Sequence, residues 1–134
     1  MANRRYYQFT YSSEANPVHV FAQVTFGASG APTLNFGGSY ISSITRNSAG
    51  DYTIVFRDLY SRLLGVRAVF NSGSSLPAAP ALNVKANNVA TATGGSAKSI
   101  EIVFSDLETP AATDPANGEI VYLDFVLKNS SVTY

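Results

Sequence analysis

From Val18 to Phe26 the side chains alternate. Val18, Val20, Ala22, Val24 and Phe26 fall on one face of an extended chain, and His19, Phe21, Gln23 and Thr25 on the other. A period of two is the mark of a strand with one face in a core, because successive Cβ atoms of an extended backbone point to opposite sides. The pattern returns in Asp51–Arg57, where Tyr52, Ile54 and Phe56 oppose Thr53, Val55 and Arg57, and in Ser99–Ser105 through Ile100, Ile102 and Phe104. No segment sustains the 3.6-residue period of an amphipathic helix. The chain is therefore expected to be all-β, with Val20, Ala22, Val24, Phe26, Tyr52, Ile54, Phe56, Ile100, Ile102 and Phe104 buried.

Turn residues divide the alternating runs. Gly27-Ala-Ser-Gly-Ala-Pro32 ends the first strand, and Asn47-Ser-Ala-Gly50 between Tyr40–Arg46 and Asp51–Arg57 reads as a hairpin turn. Asp58–Leu64 reads as one helical turn capped by Asp58, whose carboxylate can accept an orphan backbone N–H. A strand Leu64–Phe70, a Ser/Pro/Ala loop Asn71–Pro80 and a short strand Leu82–Ala86 follow. Ala90–Lys98 is a connection, Glu108–Gly118 a long loop, and Glu119–Lys128 a closing strand. About eight antiparallel strands with regularly spaced turns predict a β-sandwich or jelly-roll-like fold. Residues 1–134 suit one domain.

One internal echo stands out. Ile54-Val-Phe-Arg-Asp-Leu59 is answered by Ile102-Val-Phe-Ser-Asp-Leu107. It is either a coincidence of two similar strand-to-loop transitions or a duplicated strand–loop–strand unit that would give two comparable sheets.

Charge and residue content narrow the chemistry. Nine basic and nine acidic side chains balance to zero, and only 13% of residues are charged, about half the usual share. That balance lacks the basic footprint of a nucleic-acid binder. So little charge also protects a monomer poorly from self-association, which partners covering its surface would remedy. Absence of cysteine excludes disulfides, thiolate metal sites and thiol nucleophiles. The N-terminal stretch has no apolar run after its arginines, unlike a signal peptide, and no run approaches the roughly 20 apolar residues of a spanning helix.

The candidate chemical motifs fall short on their own terms. His19 is the single histidine and sits mid-strand, so triads and histidine metal sites lack their partners. Thr93-Gly-Gly-Ser-Ala-Lys-Ser99 has neither the spacing nor the following helix of a phosphate loop. Asp106, Glu108, Asp114, Asn117 and Glu119 offer oxygen ligands at calcium-site density, but in no EF-hand spacing and with ordinary turn chemistry. As a glycosidase pair these carboxylates would lack a Trp platform. Asn129-Ser-Ser131 matches a glycosylation sequon with no other sign of secretion. The expectation is a chain with no catalytic residues, no metal and no cofactor.

Two segments point to assembly instead. Arg4, Arg5, Tyr6 and Tyr7 have the composition of interface anchors and suggest a docking arm within residues 1–10. The closing strand is apolar on both faces: Val121, Leu123, Phe125 and Leu127 on one, Ile120, Tyr122 and Val126 on the other, with Asp124 the only charge among them. One face serves the protomer's core. The other is expected to meet a second sheet or another subunit.

Asn47-Ser-Ala-Gly-Asp-Tyr-Thr-Ile-Val-Phe56 resembles a hairpin common in small structural proteins of tailed bacteriophages. Thr113-Asp-Pro-Ala-Asn-Gly-Glu-Ile-Val-Tyr-Leu123 and Leu127-Lys-Asn-Ser-Ser-Val132 are similar to virion sequences as well. The resemblance covers Tyr40–Phe70 and the last third of the chain, and consists of hairpin grammar rather than chemistry. It implies a β-rich structural virion protein, first of all a capsid decoration (cement) protein made in the host cytoplasm and carried on the virion. A trimer bound to the major capsid protein or another virion protein is the implied assembly, with no nucleic-acid or membrane partner. A minor tail or fibre-associated module that binds carbohydrate or receptor is the alternative.

Overall fold

The computed structural model describes residues 17–72, 77, 79–108 and 111–129. Among them run eight strands: β1 (Pro17–Phe26), β2 (Pro32–Phe36), β3 (Ile41–Ser48), β4 (Asp51–Phe56), β5 (Arg62–Asn71), β6 (Ala81–Asn88), β7 (Ser99–Ser105) and β8 (Ile120–Lys128). They form two four-stranded antiparallel sheets, ordered β2-β1-β8-β5 and β3-β4-β7-β6. The sheets pack against each other over one apolar core, a β-sandwich as the alternation predicts.

All ten residues expected in the core are buried, and Val121, Leu123, Phe125 and Leu127 of β8 join them. Aromatic rings bridge the layers edge to face. Phe26 of the first sheet meets Tyr52 and Phe104 of the second, at ring-centroid distances of 5.1 and 5.7 Å. Phe125 meets Phe56 at 5.3 Å. Such pairs add roughly 0.5–1.5 kcal/mol to the area they bury.

Three local expectations change. The helical turn at Asp58–Leu64 is absent, and β5 already begins at Arg62. The backbone N–H groups of Arg57, Tyr60 and Ser61 donate to the carbonyls of Tyr40, Val89 and Lys128. Long-range partners take the donors that a capped turn would have offered to Asp58. Strand β2, unmarked in the sequence, pairs with β1 through a bulge that lets Phe36 oppose Gln23 while Leu34 opposes Val24. In the hairpin, Ser48 pairs with Asp51, so Ala49-Gly50 makes the turn. Gly50 has φ +71°, and a Cβ there would press on the Phe104 carbonyl and the Thr113 amide.

The internal echo lies in matching places. β4 and β7 are neighbours in one sheet, and each crosses over to β5 and β8, which are neighbours in the other. Carrying Ile54 onto Ile102 turns the pair Tyr52↔Ile102 into Ile100↔Ile54, with Thr53 and Glu101 opposite each other on the local two-fold axis. Hairpin plus crossover, β3-β4-β5, is thus answered by β6-β7-β8. The two matching segments are spread over both sheets and do not make one sheet each.

Phe104 touches Phe26, Tyr52 and Phe70, so Phe104→Ala is expected to cost about 3–5 kcal/mol in urea unfolding. Leu107→Ala, at a side chain 71% exposed just beyond the same strand, should stay within about 0.5 kcal/mol. Equal losses would mean that this aromatic cluster does not hold the sheets together.

Candidate interaction surface

The core-facing register of β8 dictates what its other face shows. With Val121, Leu123, Phe125 and Leu127 inside, Ile120, Tyr122, Asp124 and Val126 turn outward, flanked on both sides along the strand by β1 and β5. Pairing across the sheet sets side chains in rows. Phe36, Gln23, Tyr122 and Val69 form one row over all four strands. Phe21, Asp124 and Arg67 form the next, then His19, Val126 and Gly65.

Large apolar groups stand in water on this face. Val69 is 64% exposed, Phe36 62%, Phe21 53% and Tyr122 44%, and the His19 ring stacks on Phe21 at 5.7 Å. Ile120 and Val126 are half-buried by their neighbours. Scattered exposed apolar residues are ordinary, but a contiguous group rimmed by polar ones marks an interaction site.

Asp124 lies nearly buried in the middle of this group. It accepts from Arg67 Nη2 at 2.9 Å, and its other oxygen lies 3.0 Å from His19 Nδ1. A buried carboxylate needs such partners. Here both come from flanking strands of the same sheet, so the acid asks nothing of a docking partner.

The outer face of the other sheet differs. Lys85 Nζ bridges Asp51 and Glu101 at 2.6 and 2.7 Å, and Asn47 Nδ2 donates to Asp51 and Thr53. Burial works against the Asp51 carboxylate, yet bonds from Lys85 and Asn47 outweigh it and hold its pKa below the usual range. This face is wet and internally cross-linked.

The expected site residues divide accordingly. Ile120, Tyr122 and Val126 come together on the exposed sheet. Arg4, Arg5, Tyr6 and Tyr7 lie outside the described residues. Phe36 and Val69 belong to the same face but were not singled out beforehand. Phe21 was visible in the β1 alternation, on the side away from the core.

The acidic residues of the long loop do not converge. Asp106 accepts from the Glu108 N–H, and Glu119 from the Ala116 N–H and the Ser72 hydroxyl. Asp114 instead ties the loop to the sandwich. Its Oδ1 accepts from Gly50 N at 2.8 Å and Tyr52 OH at 2.9 Å, and Arg46 reaches both oxygens, Nε at 3.0 Å and Nη2 at 2.8 Å. The Arg46 bonds hold the Asp114 carboxyl below the ordinary range; burial opposes them, and the Gly50 and Tyr52 bonds add to them. Burial and the Asp114 charge push the Tyr52 phenol well above its ordinary value. Among the described residues no three His, Asp or Glu side chains are grouped to hold a metal ion.

The glycine-rich turn before β7 borders an open groove of about 570 Å³ between Val55, Arg57, Thr93 and Lys98. The Ala97 and Lys98 amides are taken by the Gly94 and Thr91 carbonyls. The Lys98 ammonium donates to the Arg57 carbonyl at 3.3 Å. A strand follows, so the turn does not aim donors at an anion as a phosphate loop does.

No family model, no curated protein and no solved structure matches this chain. No helix among the described residues is long and apolar enough to cross a membrane.

The Asp114 geometry sets a pH dependence. A carboxyl whose folded pKa is depressed stabilises the fold fully above its unfolded pKa, about 3.9, and loses that contribution as pH falls through the folded value. Asp114→Ala also strands the buried Gly50 N–H and should cost roughly 2 kcal/mol at neutral pH. Its loss of stability as pH falls below about 4 should be shallower than that of the wild type. Urea midpoints across that range test both points; parallel acid slopes would remove Asp114 from the account.

Proposed function

We propose that this chain is a structural assembly protein, working by contact with other proteins and not by catalysis, and specifically a capsid decoration protein of a virion shell. The observation that carries the assembly reading is the outer face of the β2-β1-β8-β5 sheet. Four large apolar side chains stand exposed there around a carboxylate already matched within the chain. An isolated sandwich gains nothing from such a face, whereas burying each apolar group is worth roughly 1.5–3 kcal/mol before the entropy of association is met. The virion setting comes from the resemblance of the β3–β4 hairpin and the segment around Thr113–Leu123 to phage structural sequences.

A glycan- or receptor-binding module is the second reading, favoured by one feature: the open groove beside Arg57 and Lys98 lies in loops at the edge of the sandwich. Pockets for small ligands are mostly concave and apolar. This one is open and carries two cations, which weakens that alternative.

On the decoration reading the protein copurifies with intact capsids at fixed stoichiometry, and shells stripped of it lose resistance to heat or chaotrope. Recovery only with tails or fibres, or from a glycan surface in place of capsids, would replace this reading with the second.

A further inference from the structure

We propose that the outer face of the β2-β1-β8-β5 sheet is covered by a second copy of this chain, packed face to face about a two-fold axis that runs along the strands between β1 and β8. This names the partner of the assembly surface above and rests on that reading.

Area is the first argument. Strands of 10, 5, 9 and 10 residues, rising about 3.4 Å per residue and spaced by about 4.8 Å, present a face of roughly 550 Å². Two copies together would cover roughly 1,100 Å², close to the lower end of specific interfaces and above the roughly 1,000 Å² such a contact needs.

The second argument is the lopsided chemistry of the face. Aromatic rings lie on one half, with Phe36 on β2 and Phe21 on β1, while Arg67 and Val69 lie on β5 at the other. A two-fold axis along the strands exchanges the halves. The row Phe36–Gln23–Tyr122–Val69 then lies reversed over its own copy, with Phe36 above Val69 and Gln23 above Tyr122. Phe21 comes over the Asp124–Arg67 pair of the second copy. The Arg67 side chain is 78% exposed beyond its bond to Asp124, which leaves guanidinium surface for a ring to cover. Each such contact occurs twice.

Charge and geometry agree with this. Asp124, the one acid on the face among the described residues, is paired with Arg67 within its own sheet, so stacking two faces brings no unpaired described carboxylates together. Aligned sheets pack with strands about 30° apart, which a two-fold axis near the strand direction allows. A two-fold contact of this kind closes on itself and makes no filament. The polar outer face of the other sheet, with Lys85 already shared between Asp51 and Glu101, offers no comparable surface.

The test uses the full chain. Sedimentation equilibrium between about 1 and 100 µM should give a dimer mass. Tyr122→Asp should raise the dimer dissociation constant at least tenfold, with the far-ultraviolet circular dichroism and urea midpoint of the wild type. Because the chain has no cysteine, introduced thiols report the packing directly. Phe36→Cys and Val69→Cys proteins should cross-link to each other when mixed and oxidised, and neither should cross-link alone. If Tyr122→Asp does not fold, this mixing experiment decides by itself. A monomer throughout, or the trimer implied by the phage resemblance, would overturn the inference. So would cross-linking within each single variant. Capsid attachment by a monomer would sink the pairing and leave the decoration reading standing. A dimer that ignores capsids would do the reverse.

Discussion

The structure depends on the register of one strand. β8 is paired with β1 on one side and β5 on the other over almost its whole length. Its side chains have period two, so a slip of one residue would exchange its faces. With Val121, Leu123, Phe125 and Leu127 inside, both sheets close over the core. The cost of that choice is that Tyr122, Ile120 and Val126 must face outward. The outer surface is therefore not an independent decoration of the fold. It is what remains of an apolar strand after its better half has been buried.

Two aspartates show how local environment divides tasks. Asp114 reaches across from the long loop before β8 and gathers donors from three places: Arg46 of β3, the Gly50 turn and Tyr52 of β4. Tyr52 itself contributes its ring to the aromatic cluster between the sheets. Loop, hairpin and core thus meet at one carboxylate. Asp124 is held in place within a single sheet, by Arg67 and His19 on the strands beside it. Replacing such an acid by an apolar residue need not destabilise the fold. With Arg67, His19 and Gln23 around it, Asp124 sets polar groups among the exposed apolar side chains of this face, which restricts how a partner sheet can register on it.

The alternation made most of this visible beforehand. Every core residue expected in β1, β4 and β7 is buried, and period two divides β8 into the two sets of side chains the structure shows, one inside and one outside. What escaped depended on distant contacts. β2 is five residues long and contains a bulge at Asn35, so its own alternation is broken and Phe36 cannot be placed without β1 beside it. Asp58 looks like a helix cap, yet carbonyls of β8 and of residues near β3 and β6 claim the nearby amides. The acidic loop has calcium-like density in one dimension, while in three its carboxylates turn to separate donors. Residue type told what each could do, and only topology told which option it takes.

The two outer faces also explain how a neutral chain would associate. On the β3-β4-β7-β6 sheet the charges are spent within the molecule, Lys85 on Asp51 and Glu101. On the other sheet Arg67 is paired with Asp124, whose other oxygen lies beside His19 Nδ1. Zero formal charge leaves little long-range field to steer an encounter. Association through Phe21, Phe36, Val69 and Tyr122 would then proceed near the unsteered rate of about 10⁵–10⁶ M⁻¹s⁻¹. Its strength would rest on apolar surface removed from water, which salt does not screen. A weak pair contact of this kind becomes strong only when many copies are held together, since a second contact then acts at high effective concentration.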